Sequence, residues 1–302
     1  MSILNSNEEK GIKYRFVKST FSSNEELLNR WRKDNLYMTD SFQEDEILTA
    51  EVFAIYQNEE YVGYFALSNI TFDREGFTVV KQFMLVERYK NQSKVIFEQI
   101  LKDLEVETAL VSTNDNLFLS LSMDYHTFIE KQAHVFRGIP FDGSVAETKM
   151  IRSRANADNM TNSCIIEDTL TYEVTSEDQL ETINRRTGDN FDFCREEHKI
   201  GRYEIFEFKD RGEIVGYGIL EDSFVSDDIR FLGNYVMADH RRKGYGKRIL
   251  QTLEKHCIER NWVPMTGCNW YNEKSLRTIT KAGFTPIGRL LMVHFTDRLE
   301  YR

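Results

Sequence analysis

The two halves of this chain repeat one another at a single constant shift that needs no gap. At that shift Val62-Gly63-Tyr64 falls on Val215-Gly216-Tyr217, and Arg88 falls on Arg241. Further identities in the same register are Glu51 with Glu204, Phe53 with Phe206, Glu60 with Glu213, Leu67 with Leu220, Met84 with Met237, Lys90 with Lys243, Lys94 with Lys247 and Ile96 with Ile249. Agreement of a hairpin and a turn in one register indicates an internal duplication, so the chain should contain two copies of one fold.

Each half shows the same order of predicted elements. The second half contains, in order, a strand TLTYEV, helical segments SEDQLETINRR and NFDFCREEHK, a hairpin RYEIFEFKDRGEIVGYGIL, a strand–turn–helix, a strand VPMTGC, a helix NEKSLRTITKAG and a strand around RLLMVHF. Residues 148–162 are rich in Arg, Asn, Ala and Ser and poor in large apolar side chains. We therefore predict domains at 1–150 and 163–302, joined by a linker at 151–162.

The strand–turn–helix of the second half is strongly basic and contains two glycines. Its sequence, NYVMADHRRKGYGKRIL, places Gly244 and Gly246 at the start of the helix, where backbone N–H groups converge at the positive end of the helix dipole. Five of the eight residues from Arg241 to Arg248 are cationic, although the net charge of the chain is −10. This combination predicts a site for an anion such as a diphosphate.

Two common phosphate-binding motifs do not fit this turn. A P-loop requires Ser or Thr where Arg248 stands, and a dinucleotide-binding turn requires glycine where Ile249 stands. In the first half the two glycines are replaced by Asn91 and Ser93, whose side chains would crowd a diphosphate. The first copy is therefore expected to keep the fold and to lack the site.

Composition limits the classes of protein to consider. No run in the 302 residues approaches the roughly 18 apolar residues of a membrane span, and the N-terminus lacks an apolar leader, so we expect a cytoplasmic protein. The four cysteines match no metal-binding spacing, and reduced thiols are expected. The excess of 49 acidic over 39 basic residues argues against nucleic acid or a membrane as partner.

Two motifs in the second half resemble signatures of the GNAT superfamily of N-acetyltransferases. The pattern [RQ]xxGx[GA] is matched by Arg241, Gly244 and Gly246. The helix pattern NxxSxxxxxKxGF is matched by Asn272, Ser275, Lys281, Gly283 and Phe284. Both lie in the family's order within about residues 169–302, and the layout of one intact and one degenerate copy is similar to that of mycothiol synthase and other tandem members.

The resemblance implies an α/β (α+β) fold of two tandem GNAT-like domains, each with a mixed, mostly antiparallel central sheet flanked by helices. It also implies acetyl-CoA as co-substrate and no metal. The residues that it implies for binding acetyl-CoA are Val236, Ala238, Arg241, Lys243, Gly244, Tyr245, Gly246, Lys247, Arg248, Asn272 and Ser275. For Lys247 and Arg248 a solvated helix face is an equally good interpretation.

Acetyl transfer to an amine needs a deprotonated amine, a polarised thioester and, usefully, a proton donor for the leaving thiolate. The family often supplies that donor from a tyrosine, but Ile279 stands at its position here. Tyr271 and Cys268 are candidate donors, and Glu221, at the end of a hairpin strand, is the candidate base. Packing is the favoured interpretation for Tyr271 and Cys268, and a solvated strand end is the favoured interpretation for Glu221.

The leading interpretation is an acetyl-CoA-dependent N-acetyltransferase that acts on a primary amine of a small molecule or peptide by direct attack. A homodimer is left open. One alternative is a non-catalytic acyl-CoA-binding or regulatory protein, which the missing tyrosine favours. A second is a tandem GNAT-like aminoacyl transferase, which the intact glycine motif disfavours.

Overall fold

The computed structural model describes residues 13–36, 38–71, 74–138 and 169–296. The predicted linker at 151–162 lies outside these residues. Among the described helices, none is both long and apolar enough to cross a membrane.

Twelve strands of the described chain form one continuous sheet. The first half contributes β1 (Tyr14–Ser19), β2 (Glu51–Gln57), β3 (Glu60–Thr71), β4 (Arg74–Leu85), β5 (Thr108–Ser112) and β6 (Phe128–Arg137). The second half contributes β7 (Leu170–Val174), β8 (Tyr203–Asp210), β9 (Glu213–Asp222), β10 (Ile229–Val236), β11 (Val263–Asn269) and β12 (Thr285–His294). The order across the sheet is β1-β2-β3-β4-β5-β12-β6-β11-β10-β9-β8-β7.

The described helices lie on both faces of this sheet. The α-helices are α1 (Glu25–Asp34), α2 (Ser41–Leu48), α3 (Ser93–Asp103), α4 (Asn116–Asp124), α5 (Leu180–Thr187), α6 (Tyr245–Glu259) and α7 (Glu273–Ala282). Short 3-10 helices span Ser22–Asn24, Glu87–Gln92, Glu177–Gln179, Asp192–Arg195, Glu197–Lys199 and Ala238–His240. Helix α2 was not predicted from the sequence.

The segment NFDFCREEHK, which we predicted to be helical, forms two 3-10 turns instead of one α-helix. Glu196, between the turns, has an extended backbone with ψ of 133°, which interrupts any helix. Phe191 and Cys194, three residues apart, are both buried against Tyr217 and Ile219. Burial of this pair under the sheet decides the local structure over the weak helical pattern.

The two halves exchange their last strands. β12 of the second half lies between β5 and β6 of the first half, and β6 lies between β12 and β11 of the second half. The antiparallel ladder from β6 to β11 runs from Met265 opposite Arg137 to Asn269 opposite Ala133. Parallel pairing in the described sheet is confined to β4 with β5 and β10 with β11. The predicted tandem, mostly antiparallel fold is confirmed, and the merging of its two sheets is an addition that the sequence did not predict.

Each half buries the apolar stripe of its long helix against the sheet. In the second half this stripe consists of Ile249, Leu250, Leu253 and Cys257 of α6, all fully buried against β8 and β9. The spacing of three, four and seven residues is that of one helix face. The stripe fixes α6 on the sheet and so sets the position of the turn at its start.

A smaller core joins the halves on the opposite face. Trp31 of α1 stacks on Phe224, which follows β9, with ring centroids 6.1 Å apart. Val225 is buried in the same cluster as Leu27 and Leu28. The first half therefore packs directly on the end of the hairpin β8–β9.

Candidate active site

The turn that follows β10 leaves the start of helix α6 open. A 3-10 helix at Ala238–His240 follows the strand, and α6 begins at Tyr245. Arg242 and Gly244 have left-handed φ values of 64° and 88°, so the chain reverses before the helix. The N–H of Arg248 donates to the Gly244 carbonyl at 3.2 Å. The three N–H groups before it have no acceptor within the helix, an arrangement that suits an anion.

Gly244 and Gly246 are required for different reasons. A Cβ at Gly244 would meet no atom of the described residues within 4 Å, so its positive φ alone calls for glycine. A Cβ at Gly246 would lie 3.0 Å from Thr278 Cγ2 and 3.2 Å from Asn234 Nδ2. Gly246 therefore lets β10, α6 and α7 approach closely, a packing role that the sequence did not reveal.

Two side chains of the basic turn are held by a carboxylate outside it. The Tyr245 hydroxyl donates to Asp210 Oδ2 at 2.6 Å, and Arg248 lies 3.8 Å from the same oxygen. Hydrogen bonds from Thr169 and Tyr245, together with nearby Arg248, lower the pKa of the Asp210 carboxyl. Arg248 and Tyr245 are thus tied to the hairpin β8–β9, which supports the helix-face interpretation for Arg248.

The remaining cations differ in their partners. Arg241 Nε donates to the Val236 carbonyl at 3.1 Å, and its guanidinium lies 5.5 Å from the centre of the Tyr235 ring. Lys243 and Lys247 are exposed, and neither forms an ion pair within the described chain. Exposed Arg242 likewise forms no ion pair within the described chain, so these three cations of the turn are available to an anion.

A gap opens between β10 and β11 beside this turn. The two strands pair in parallel only from Ile229 opposite Val263 to Phe231 opposite Met265. Thr266 Oγ1 then donates to the Leu232 carbonyl at 2.7 Å, and no further residue of β10 is paired with β11.

The backbone beside this gap is accessible. Gly267 is exposed although it lies within a strand, because among the described strands only β6 pairs with it. Asn234 and Ala238 are exposed on the other side of the gap. The Met237 N–H donates to Val215 of β9, so the backbone groups of Val236 point away from β9 and toward the gap.

Helix α7 closes one end of the gap. Asn272 is its N-cap, and Asn272 Oδ1 accepts a hydrogen bond from the Ser275 N–H at 3.1 Å. The amide Nδ2 of Asn272 remains as a donor. Ile279, at the position of the family tyrosine, is 3% exposed and belongs to the core under α6.

The two candidate proton donors have different environments. Cys268 is partly buried, and burial raises the pKa of its thiol. Tyr271 is 70% exposed, and its hydroxyl accepts a hydrogen bond from Asn269 Nδ2 at 3.2 Å. Cys268 thus lies in the strand that borders the gap, whereas Tyr271 lies at the surface beyond its end.

Glu221 is buried in an ion-pair network. Its Oε1 lies 3.2 Å from Lys199 Nζ and 3.8 Å from Arg202 Nη2. Burial raises the pKa of the Glu221 carboxyl, and the two cations oppose that shift. The solvated strand end considered for this residue is not what the structure shows.

Helix α2 of the first half completes the same network. Asp45 pairs with Lys199 and lies 3.2 Å from Arg202 Nη1. Glu44 accepts hydrogen bonds from the Ser223 hydroxyl and the Phe224 N–H, both at 2.8 Å. Burial raises the pKa of Glu44 to about 7. The first half therefore forms one wall of the face on which Glu221 lies.

Asp40, the N-cap of α2, was not identified from the sequence. Asp40 Oδ1 accepts a hydrogen bond from the Gln43 N–H at 2.8 Å, and a Cβ on Gly267 would lie 3.1 Å from Asp40 Oδ2. The Asp-x-x-Gln spacing ahead of Ile47 and Leu48 is a signal for a helix start that could have located it. No signal in the sequence places it beside Gly267.

Two family models match the chain, one in each half. An acetyltransferase (GNAT) domain model matches residues 20–138, and an acetyltransferase (GNAT) family model matches residues 169–284. A search of the curated proteins gave no match. The two matches cover the two copies that the internal repeat predicts.

Solved structures share the arrangement of the whole chain. An acetyltransferase of the GNAT family from Colwellia psychrerythraea superposes with a TM-score of 0.72 at 17% identity, over 94% of this chain and 100% of that one. A tandem GNAT protein from the clavulanic acid biosynthesis pathway superposes with a TM-score of 0.54 at 11% identity, over 93% of this chain and 97% of that one. At these identities the likeness establishes the tandem fold. The likeness in layout to mycothiol synthase stays a prediction.

Proposed function

The chain belongs to the GNAT acetyltransferase superfamily, with two domains of that family in tandem, and on this basis we propose that its C-terminal half transfers an acetyl group from acetyl-CoA to a primary amine. Acyl transfer is the reaction class of the family. The acceptor would be the amine of a small molecule or a peptide. The observation that carries the proposal is the open turn at α6 beside the gap between β10 and β11.

The residues of the turn fit a coenzyme A diphosphate. The N–H groups of Tyr245, Gly246 and Lys247 have no acceptor in the helix and converge at its positive end. Lys243 and Lys247 add positive charge that no described carboxylate neutralises. A negatively charged diphosphate would satisfy both the backbone donors and these lysines.

The gap offers backbone and amide groups to the pantetheine arm. Val236 and Ala238 line one side of it, and Asn272 Nδ2, at the start of α7, has no acceptor among the described residues. Arg241 already donates to the Val236 carbonyl. A ligand amide that donates to this oxygen would either bind beside Arg241 or displace it. Bound acetyl-CoA would supply the activated acyl group as a thioester.

The chain's own residues would then handle protons and charge. Cys268, kept as a thiol by burial, could donate a proton to a leaving thiolate. Coenzyme A is itself a fairly acidic thiol, with a pKa close to the cysteine value of about 8.5, so the thiolate can also leave without a donor. Glu221, paired with Lys199 and Arg202, would shape the field on the acceptor face.

A non-catalytic acyl-CoA-binding protein is the second candidate function. The observation that favours it is Ile279, which is buried in the core where the family's tyrosine donor would reach the gap. Such a protein would bind acetyl-CoA through the same turn and would release no thiol with any amine.

A thiol-release assay with acetyl-CoA across a panel of primary amines tests the proposal. We expect thiol release that depends on one class of amine and exceeds the amine-free rate. Calorimetry with acetyl-CoA, on the same preparation, should show binding. Binding without thiol release from any amine would favour the non-catalytic function, and the absence of binding would refute both.

A further inference from the structure

Asp40 places a carboxylate from the first half at the acyl-transfer gap of the second half. Its Oδ2 faces Gly267, the exposed residue of β11 at which the strand has lost its pairing with β10. Asp40 is 4% exposed, so the carboxylate is almost wholly enclosed where it lies against Gly267. Its other oxygen, Oδ1, is held by the Gln43 N–H at the start of α2, which fixes its orientation.

A second buried helix cap shows what is special about Asp40. Asp115 caps α4 through the Phe118 N–H at 3.1 Å, and burial raises its pKa to about 6, as it does for Asp40. The side chain of Trp31 acts to lower the pKa of Asp115. Within the described residues Asp40 has the cap as its partner and forms no ion pair. Capping therefore uses one oxygen of Asp40, and the oxygen beside Gly267 has no partner among the described residues.

The charges around Asp40 favour a cationic ligand. Burial is the largest cause of the raised pKa of Asp40. The negative charges of Asp45, on the same helix, and of Glu221, on β9, raise it further. Lys199 and Arg202 are paired with Asp45 and Glu221. Cys268 on β11 lies close to both Asp40 and Arg289. Asp40 acts to raise the pKa of the Cys268 thiol, and Arg289 acts to lower it. Asp40 is thus a carboxylate at neutral pH that pairs with no cation in the part of the chain that the structure describes.

We propose that Asp40, supplied by the N-terminal half, is the general base that takes a proton from the acceptor amine at the gap of the C-terminal half. This inference rests on the function proposed above. The acceptor enters as an ammonium and gives one N–H proton to the Asp40 carboxylate. The neutral amine forms the C–N bond, the C–S electron pair leaves with the sulfur, and the nitrogen passes its second proton to that thiolate. Asp40 then returns its proton to water.

Asp40→Asn tests the inference because asparagine keeps the helix cap and removes the base. With the amine found in the thiol-release assay, kcat/KM should fall by at least about 100-fold, the lower end of the usual range for a general base. In the wild type kcat/KM should also decline as pH falls below about 6, when Asp40 becomes protonated. This limb of the profile should disappear in the variant. Asp115→Asn, the matched control, should stay within about threefold of the wild type and keep the limb.

A measurement without turnover separates catalysis from folding. Calorimetry of the amine in the presence of coenzyme A should show at least about tenfold weaker binding for Asp40→Asn, since a charged hydrogen bond is lost. Coenzyme A affinity should be unchanged.

Should Asp40→Asn fail to fold, Asp40→Ser also keeps the cap and takes its place. If the folded variant keeps the wild-type rate and pH profile, the inference is overturned and the proposed function is unaffected. Failure of the wild type to acetylate any amine would overturn the proposed function, and the inference with it.

Discussion

The turn before α3 and the turn before α6 occupy matching positions of the duplicated fold, yet one is closed and the other is open. In the first half a 3-10 helix at Glu87–Gln92 runs directly into α3 at Ser93. The Ser93 N–H donates to the Lys90 carbonyl, and Tyr14 donates to Gln92 Oε1. Tyr89 is buried in the core of this half. The Ser93 N–H and the side chains of Tyr89 and Gln92 are therefore engaged within the protein.

The second turn differs by two left-handed residues. Arg242 and Gly244 reverse the chain, and α6 starts with three N–H groups that have no helical acceptor. In both copies the apolar stripe of the helix holds it on the sheet, with Ile96 in one and Ile249 in the other. The difference teaches that the fold is maintained by this stripe, whereas the site depends on the conformation of a few turn residues.

The largest effect is expected from separating the halves. A segment of residues 163–302 lacks β6, so β11 and β12 lose the strand that lies between them, and Phe224 loses Trp31. We expect this segment to be unfolded or aggregated by circular dichroism and size-exclusion chromatography, because unpaired strand edges and apolar surface are exposed. Co-expression with residues 1–162 should restore a soluble complex. A segment that is folded and binds coenzyme A by itself would show that the exchange is dispensable.

The next effect concerns the glycines that distinguish the two turns. Gly244→Ala with Gly246→Ala should weaken coenzyme A binding by at least about 100-fold in calorimetry, the equivalent of two charge-assisted hydrogen bonds at about 1.5 kcal/mol each. Gly244 has a positive φ, and a methyl at Gly246 would meet Thr278. Adding Thr278→Ser removes that contact, so it should recover part of the stability lost at position 246 without restoring affinity.

The matched control is Asn91→Ala with Ser93→Ala in the closed turn, which should leave affinity unchanged. The reverse change, Asn91→Gly with Ser93→Gly, should not create a second site, because Tyr89 and Gln92 still hold that turn. The wild-type chain should therefore titrate with one equivalent of coenzyme A. A stoichiometry of two would show that the closed turn also binds and would remove the contrast.

A smaller effect is expected at the contact between the halves, where Glu44 is buried. Burial raises its pKa from 4.5 to about 7, so the folded state binds more protons than the unfolded state between these values. Its contribution to stability is therefore complete below about pH 4.5 and is lost as pH rises through about 7. Relative to Glu44→Gln, the wild type should lose about 3 kcal/mol of unfolding free energy over that range. Urea denaturation at several pH values measures this difference, and a difference that does not change with pH would contradict it.

The smallest effect concerns the two candidate proton donors of the open half. Cys268→Ser and Tyr271→Phe should each reduce kcat less than about tenfold, since a thiol with a pKa of about 8.5 can leave as thiolate without help. Steady-state kinetics with the identified amine measures both. A hundredfold loss in either variant, with KM unchanged, would identify that residue as the acid that replaces the family tyrosine.

The sequence by itself determined the features that depend on local pattern. The register of Val62-Gly63-Tyr64 with Val215-Gly216-Tyr217 predicted two copies of one fold, and the glycines at 244 and 246 predicted which copy has an open turn. Both follow from residue spacing, because periodicity decides helix or strand and a left-handed turn calls for glycine. The roles proposed for these residues in binding remain predictions.

Only the tertiary structure decided how the two copies join and what faces the gap. Alternation along β6 and β12 shows that they are strands, but it does not state which neighbours they pair with, so their exchange was not predictable. Glu221 was interpreted as a candidate base or a solvated strand end, and the structure buries it beside Lys199 and Arg202. Asp40 was not identified from the sequence, and its position beside Gly267 depends on packing between halves that are distant in sequence. Contacts of this kind are set by the burial of whole surfaces, which no local run of residues specifies.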